Sequence, residues 1–140
     1  MTIERRLQAP PATVFAAWTD PAVLPRWFGP AGFDCRTRAM DLRVGGEWRF
    51  DMVGHGMTFP NRHRWTALEP PSRIAFLMDA GDGAAEPMAV EVRLHPDGSG
   101  TRLVQTVTFP TTEALDAARA YDAEARGRET LTKLAAALDE

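Results

Sequence analysis

The chain has 140 residues, of which 44% are hydrophobic and 25% charged, and its net charge is −3. This composition is typical of a globular protein, the length predicts a single domain over residues 1–140, and the lack of excess positive charge argues against nucleic acid as a partner. Cys35 is the one cysteine and no apolar signal segment follows Met1, so we expect a cytoplasmic protein without an internal disulfide. No apolar segment approaches the ~18 residues that a membrane span needs.

The first part of the chain predicts one strand and two short helices. Residues 2–8 form the strand, and Pro10–Pro11 suit the start of a helix because their missing amide donors cost nothing there. The segment Val14–Trp18 then carries apolar residues at helical spacing. Asp20–Pro21 repeats the start signal for a second short helix that ends near Gly29.

From Phe33 to Phe109 the apolar residues follow a period of two, which predicts about six further strands. Turn residues separate these strands at Gly45–Gly46, Gly54–Gly56, Pro70–Pro71, Gly81–Gly83 and Asp97–Gly100. Thr111 is the expected cap of a final helix that runs without interruption to Leu138, about 26 residues. We therefore expect an α+β fold in which a curved antiparallel sheet of about seven strands wraps round one long C-terminal helix.

Strand parity and the helical wheel place a set of mostly apolar side chains toward the space between sheet and helix. An apolar pocket with a few convergent polar groups is the usual form of a small-molecule site. The residues predicted to line such a cavity are Cys35, Trp48, Phe50, Phe59, His63, Trp65, Phe76, Met88, Val90, Val92, Gln105, Glu124, Gly127 and Leu131.

Catalytic chemistry depends on the polar members of this set. If His63 and Glu124 lie near each other, they form an acid/base pair; the alternative is a hydrogen-bonded core histidine. Cys35 is a weaker candidate for a nucleophile, because no neighbouring residue in the sequence would lower the pKa of its thiol. His55, His63 and His95 lack the short spacings that place two ligands on one metal ion, so we expect neither a metal nor another cofactor.

Five ordered motifs carry a resemblance to a known family: Phe15–Pro21, Trp27–Pro30, Asp41–Trp48, Leu68–Ile74 and Gly100–Leu103. They resemble the SRPBCC (START-like, helix-grip) superfamily and, within it, the branch named for activators of the heat shock protein 90 ATPase. The match covers nearly the whole chain in the same order. The resemblance implies the helix-grip fold, with the cavity between the sheet and the long helix.

The resemblance also implies a function, namely binding of an apolar or amphipathic small molecule in that cavity. Members of the superfamily bind lipids, sterols, polyketides or hormones there, and a few catalyse reactions. One alternative is an enzyme of the cyclase, hydrolase or isomerase type that uses His63 and Glu124. Another is a protein-interaction module with a chaperone partner and an exposed apolar patch around Trp27–Phe28 or Pro30–Gly32. A homodimer through an edge strand or the terminal helix is compatible with this fold.

The chain departs from the family pattern at one position that bears on the cavity. Members often carry Gly-Trp about four residues before the leucine that corresponds to Leu131, where this chain has Arg126 and Gly127. A glycine inside a helix costs about 1 kcal/mol relative to alanine, so we expect another group to approach the backbone there. That group is either a ligand in a widened cavity or a side chain such as Trp65.

Overall fold

The computed structural model describes residues 1–139. It contains seven strands in one antiparallel sheet and four helices. The elements are β1 (Thr2–Leu7), α1 (Pro11–Thr19), α2 (Leu24–Trp27), β2 (Phe33–Met40), β3 (Glu47–Gly54), β4 (Met57–Glu69), β5 (Arg73–Asp79), β6 (Met88–Asp97), β7 (Gly100–Thr108), α3 (Thr112–Ala120) and α4 (Ala123–Leu138).

The strand order is β1-β7-β6-β5-β4-β3-β2, so consecutive strands from β2 to β7 form hairpins and β1 pairs with the last strand. The chain passes from one sheet edge to the other through α1 and α2. The pairing register shifts between Thr37 and Ala39 and again between Trp65 and Ala67. Such bulges increase the local twist and bend of a strand, and the sheet curves round α4 as the alternating pattern predicts.

The two short helices follow β1 as expected, with one change of boundary. Pro11 occupies the first turn of α1, and the Asp20 carboxylate accepts a hydrogen bond from the Ala22 N–H (2.9 Å). This bond closes a turn ahead of α2, which therefore begins at Leu24 rather than at Pro21. The indole Nε1 of Trp27 donates to the Ala17 carbonyl (3.1 Å) and ties the two helices together.

The prediction of an uninterrupted C-terminal helix is wrong, because the structure divides this segment into two helices. Thr111 caps α3 as predicted, its hydroxyl accepting from the Ala114 N–H (3.0 Å), but the helix stops at Ala120 and restarts as α4. Asp122 at the junction adopts a left-handed conformation (φ 59°), which aspartate tolerates better than most residues. Helix propensity did not indicate the break, because the surrounding residues are good helix formers.

The core is rich in aromatic side chains. Trp18, Trp27, Trp48 and Trp65 are each no more than 1% exposed and belong to one cluster of buried residues that also includes Leu131 and Leu134 of α4. Trp48 stacks on Phe50 with ring centroids 3.7 Å apart. None of the helices within residues 1–139 is long and apolar enough to cross a membrane.

Candidate functional site

A cavity of about 700 Å³ lies between the inner face of the sheet and the first two turns of α4. Its wall consists mainly of methionine, phenylalanine and valine side chains from the sheet, together with the loop that follows α2. Met57, Phe59 and Tyr121 border it and are 49%, 44% and 54% exposed, so the cavity opens to solvent on their side. Small-molecule sites have volumes of roughly 300–1,000 Å³ and mostly apolar walls, and this cavity fits that description.

The residues predicted to line the cavity divide into two groups. Those that border it are Phe59, Phe76, Met88, Val90, Gln105, Glu124 and Gly127. Those that lie elsewhere are Cys35, Trp48, Phe50, His63, Trp65, Val92 and Leu131. In the second group only Cys35 is partly exposed; the others are buried core residues. Parity therefore identified the inner face of the sheet but not the depth at which each side chain lies.

Phe28 explains much of this division, because its ring covers the middle of β3 and β4. The ring centroid of Phe28 lies 5.7 Å from that of Trp48, 6.0 Å from Phe50 and 4.9 Å from His63, all edge to face. Phe28 itself borders the cavity. It thus separates the cavity from an inner layer of aromatic side chains.

His63 lies wholly buried in that inner layer. Its ring stacks on Phe76 at 4.2 Å, and Phe28, Trp48, Phe50 and Trp65 surround it edge to face. Neither ring nitrogen has a hydrogen-bond partner within residues 1–139. Burial lowers the pKa of His63 from 6.5 to about 3, since the charged imidazolium would lose its hydration without gaining a partner. The imidazole is therefore neutral at physiological pH.

The predicted pair of His63 and Glu124 does not form. The Glu124 carboxylate is 54% exposed at the start of α4 and forms an ion pair with Arg128 four residues later (3.1 Å). His63 is buried behind Phe28 and Phe76 and has no hydrogen bond to any carboxylate. The helical wheel placed Glu124 on the cavity side correctly, because Glu124 and Leu131 both belong to α4, but its carboxylate lies in the exposed first turn rather than beside His63.

Nucleophilic and metal chemistry also lack support in the described residues. The Cys35 thiol donates to the Phe28 carbonyl (3.2 Å), and burial raises the pKa of Cys35 to about 12 although the Lys133 ammonium lowers it in part. A thiol with so high a pKa is a poor nucleophile at neutral pH. Within residues 1–139, no three His, Cys, Asp or Glu side chains lie close enough together to hold a metal ion.

Gly127 faces the cavity, and a side chain does approach it as expected. A Cβ atom at this position would lie 3.1 Å from Cδ1 of Ile3, the end of a flexible side chain on β1. The neighbour is therefore Ile3 rather than Trp65. Gly127 also borders the cavity.

The parts of the wall that escaped prediction include the loop residues 28–30, Tyr121 and Arg126. The break between α3 and α4 places Tyr121 at the mouth, and Arg126 then follows on the first turns of α4. No periodic pattern in the sequence marks them. The left-handed Asp122 lies at the break between α3 and α4, next to Tyr121.

The charged groups around the cavity are mostly neutralised. Burial of the Asp79 carboxyl raises its pKa, but hydrogen bonds from the Arg62 guanidinium and the Gly81 N–H outweigh burial, so the pKa lies below its ordinary value. Arg62 Nε lies 2.9 Å from Asp79 Oδ1. Glu124 is paired with Arg128, as described above. Arg126 forms no ion pair within the described residues, its Nε donating instead to the Tyr121 carbonyl (2.9 Å).

The fold is shared with known proteins over almost its entire length. A sequence model of the family described as "Activator of Hsp90 ATPase homolog 1-like protein" matches residues 8–139. No curated protein matches the chain.

Solved structures with this fold come from several bacteria. A protein from Arthrobacter aurescens is 26% identical with a TM-score of 0.89, the match covering 99% of this chain and 84% of that one. A protein from Nitrosomonas europaea is also 26% identical, with a TM-score of 0.85 and coverage of 99% and 93%. The AHSA1 protein from Silicibacter pomeroyi is 25% identical, with a TM-score of 0.80 and coverage of 99% and 96%.

Proposed function

The chain belongs to the Activator of Hsp90 ATPase homolog 1-like protein family, and we propose that it binds an apolar or amphipathic small molecule in the cavity between the sheet and α4. Membership of this family is compatible in general with a small-molecule partner or a chaperone partner. The observation that carries this proposal is the cavity of about 700 Å³ itself. Interiors of proteins are otherwise packed with few voids larger than a water molecule, so a space of this size with an apolar wall favours a ligand. The free thiol of Cys35 and the composition favour a cytoplasmic location.

The wall chemistry favours an apolar body with few polar groups. Met52, Met78 and Met88 are flexible and polarisable, so they adapt to the shape of a ligand. Val90 and Val107 complete the apolar floor on the neighbouring strands. Burial of a ligand against such side chains stabilises the complex by roughly 25 cal/mol per Å² of apolar surface removed from water.

The proposal is tested with 1-aminoanthracene, whose fluorescence increases in apolar cavities. We expect saturable binding of one molecule per chain. Gly127→Trp should weaken binding at least about fivefold, because the indole enters the cavity, and only the flexible end of Ile3 must give way. Glu129→Trp is the matched control, since it adds the same indole to an exposed position of α4 outside the cavity wall.

The outcome separates cavity binding from surface binding. If both tryptophan variants bind the dye like the unmodified protein, the dye does not occupy the cavity. If the unmodified protein binds no dye and native mass spectrometry of the purified protein shows no small molecule, the proposal is wrong.

A second candidate function is a protein-interaction module of the co-chaperone kind. Of the two predicted patches, the one around Trp27 is not available, because that indole is 1% exposed, whereas Ala31 and Gly32 of the other are exposed. Met57, Phe59 and Tyr121 are instead exposed around the mouth of the cavity and form the apolar surface that favours this candidate. Size-exclusion chromatography with a purified bacterial Hsp90 tests it: co-elution that Phe59→Ser abolishes would support the module, and separate elution would contradict it.

A further inference from the structure

The cavity has a polar end and an apolar end. The polar groups without a protein partner lie where α4 packs on the edge strand β1 beside β7, called here the α4–β7 end, whereas the wall toward the loop after α2 and β3–β4 consists of Phe28, Met52, Met57 and Phe59. Asn61 also borders the cavity, but its amide nitrogen already donates to the Phe59 carbonyl (3.0 Å). A ligand therefore meets unsatisfied polar groups at one end only.

Gln105 is the first of these groups. It lies on β7, half-buried, and pairs in register with Ile3 of the edge strand β1. Ile3 in turn contacts the backbone of α4 at Gly127, so Gln105 lies near the point where the helix crosses the sheet. Its side-chain amide makes no hydrogen bond within residues 1–139 and is not among the side-chain atoms shut off from solvent, so it is free to bond a ligand. An amide both donates and accepts, so it suits a carboxylate, a carbonyl or a hydroxyl group of a ligand.

Arg126 is the second group, one residue before Gly127. Its guanidinium lies over the ring of Tyr121, 5.9 Å from the centroid, and its Nε donates to the Tyr121 carbonyl (2.9 Å). Nη1 and Nη2 have no acceptor in the described part of the chain. Glu124, the acid nearest to Arg126 in sequence, pairs with Arg128 instead, and neither Glu129 nor Asp122 forms an ion pair with Arg126. Stacking on an aromatic ring and one backbone bond hold the fork of Arg126 in place, which reduces the entropy lost when it binds an anion.

The charges of the cavity wall also favour a ligand with an anionic head group. The acidic residues of the wall are Asp79 and Glu124, and each already has an arginine partner, Arg62 and Arg128 respectively. The positive charges of the wall that have no carboxylate partner in the described part of the chain are those of Arg126 and of the Met1 amino group, which donates to the Val107 carbonyl (3.1 Å). A neutral or cationic head group would leave both charges without a counter-ion.

We propose that the ligand is an amphipathic acid whose carboxylate or phosphate head group binds Arg126 and Gln105 at the α4–β7 end, with its apolar tail toward Phe28 and Met52. The inference rests on the proposed function, because it assigns an orientation and a head group to the ligand of the same cavity. A guanidinium binds such head groups through two parallel hydrogen bonds, which are stronger than bonds between neutral groups.

The test compares ligands that share one tail and differ in the head group: decanoate, decyl phosphate, 1-decanol and decylamine, each displacing 1-aminoanthracene. We expect decanoate or decyl phosphate to bind at least about fivefold more tightly than decanol, and decylamine more weakly than decanol. The two acids distinguish a carboxylate from a phosphate head group. Arg126→Gln should reduce the affinity for the preferred acid about fivefold or more and leave decanol unchanged.

Arg64→Gln is the matched control, because it removes the same charge from an exposed position of β4 that does not border the cavity. The affinity of the acids should fall with added salt in the unmodified protein and in Arg64→Gln, but much less in Arg126→Gln. Arg126 is exposed, so the variant is expected to fold, and a thermal melt verifies this.

The results distinguish the two proposals. If all four decyl compounds bind equally, or if decylamine binds most tightly, the head-group assignment is wrong while the cavity still binds ligands. Equal losses in Arg126→Gln and Arg64→Gln would also overturn the assignment. If neither the dye nor any decyl compound binds, the proposed function itself fails.

Discussion

Replacing His63 with leucine should make the protein much less sensitive to acid. His63 is completely buried, lacks a hydrogen-bond partner at both nitrogens, and has its pKa lowered to about 3. Leucine is similar in volume and has no polar atoms, so it removes the titrating group while the surrounding aromatic side chains keep an apolar neighbour.

The size of the effect follows from the two pKa values. Between pH 6.5 and about 3 the unfolded chain binds a proton at His63 and the folded protein does not, so the free energy of unfolding falls as the pH falls. Each pH unit in this window costs about 1.36 kcal/mol. The protein should therefore lose about 2–3 kcal/mol through His63 between pH 7 and pH 4.5.

His63→Leu should lack this loss. At pH 7 the variant should be at least as stable as the unmodified protein, because two unpartnered buried nitrogens disappear, although the stacking on Phe76 is lost with them. Urea unfolding followed by tryptophan fluorescence at several pH values measures both proteins. The difference in their free energies of unfolding should grow by about 2–3 kcal/mol in favour of the variant from pH 7 to pH 4.5.

Other acid-sensitive groups cancel in this comparison. The pKa values of Asp79 and Glu91 lie below their ordinary values, so these carboxylates also stabilise the protein above the unfolded pKa and lose that contribution as the pH falls, but they are present in both proteins. His95→Gln serves as the control for removing an imidazole from a position of β6 that is only half-buried. Parallel pH profiles for His63→Leu and the unmodified protein would refute the reasoning.

The remaining predictions concern single positions. Cys35 should resist iodoacetamide at pH 8 in the folded protein and react in urea, because burial raises its pKa to about 12; rapid labelling of the folded protein would contradict this. Asp122→Gly should raise the free energy of unfolding, measured in urea, by about 0.5 kcal/mol, because glycine adopts the left-handed conformation without strain and this gain exceeds its entropy cost. The Asp122 side chain caps no N–H, so no hydrogen bond is lost. A lower free energy of unfolding in the variant would contradict this. Gly46→Ala should lower the free energy of unfolding by about 1–3 kcal/mol, and the melting temperature with it, because the added Cβ would clash with the Asp41 carbonyl oxygen. An unchanged melting temperature would show that the turn moves to accommodate the Cβ.

Much of the fold was predictable because it depends on short-range signals. The period of two from Phe33 to Phe109 and the intervening turns predicted the hairpins, and the strands occur as expected. The hydroxyl of Thr111 caps α3 as the sequence indicates. These features depend on neighbouring residues, whose steric and hydrogen-bonding preferences are present in the chain before it folds.

The candidate site was predictable only in part. Parity placed Phe76 and His63 on the same face of the sheet, yet Phe76 borders the cavity and His63 does not. The difference arises from Phe28, which comes from a loop distant in sequence and covers His63. Parity identifies the face of a strand, but only the elements packed on that face decide which side chains remain accessible.

The sequence by itself determined the family, the order of the strands along the chain and the apolar inner face of the sheet. The tertiary structure alone decided where the C-terminal helix breaks, that Glu124 pairs with Arg128, and that Arg126 borders the mouth of the cavity without a carboxylate partner. The physical reason is that local patterns depend on neighbouring residues, whereas the break at Asp122 and the burial of His63 depend on contacts between segments far apart in the chain.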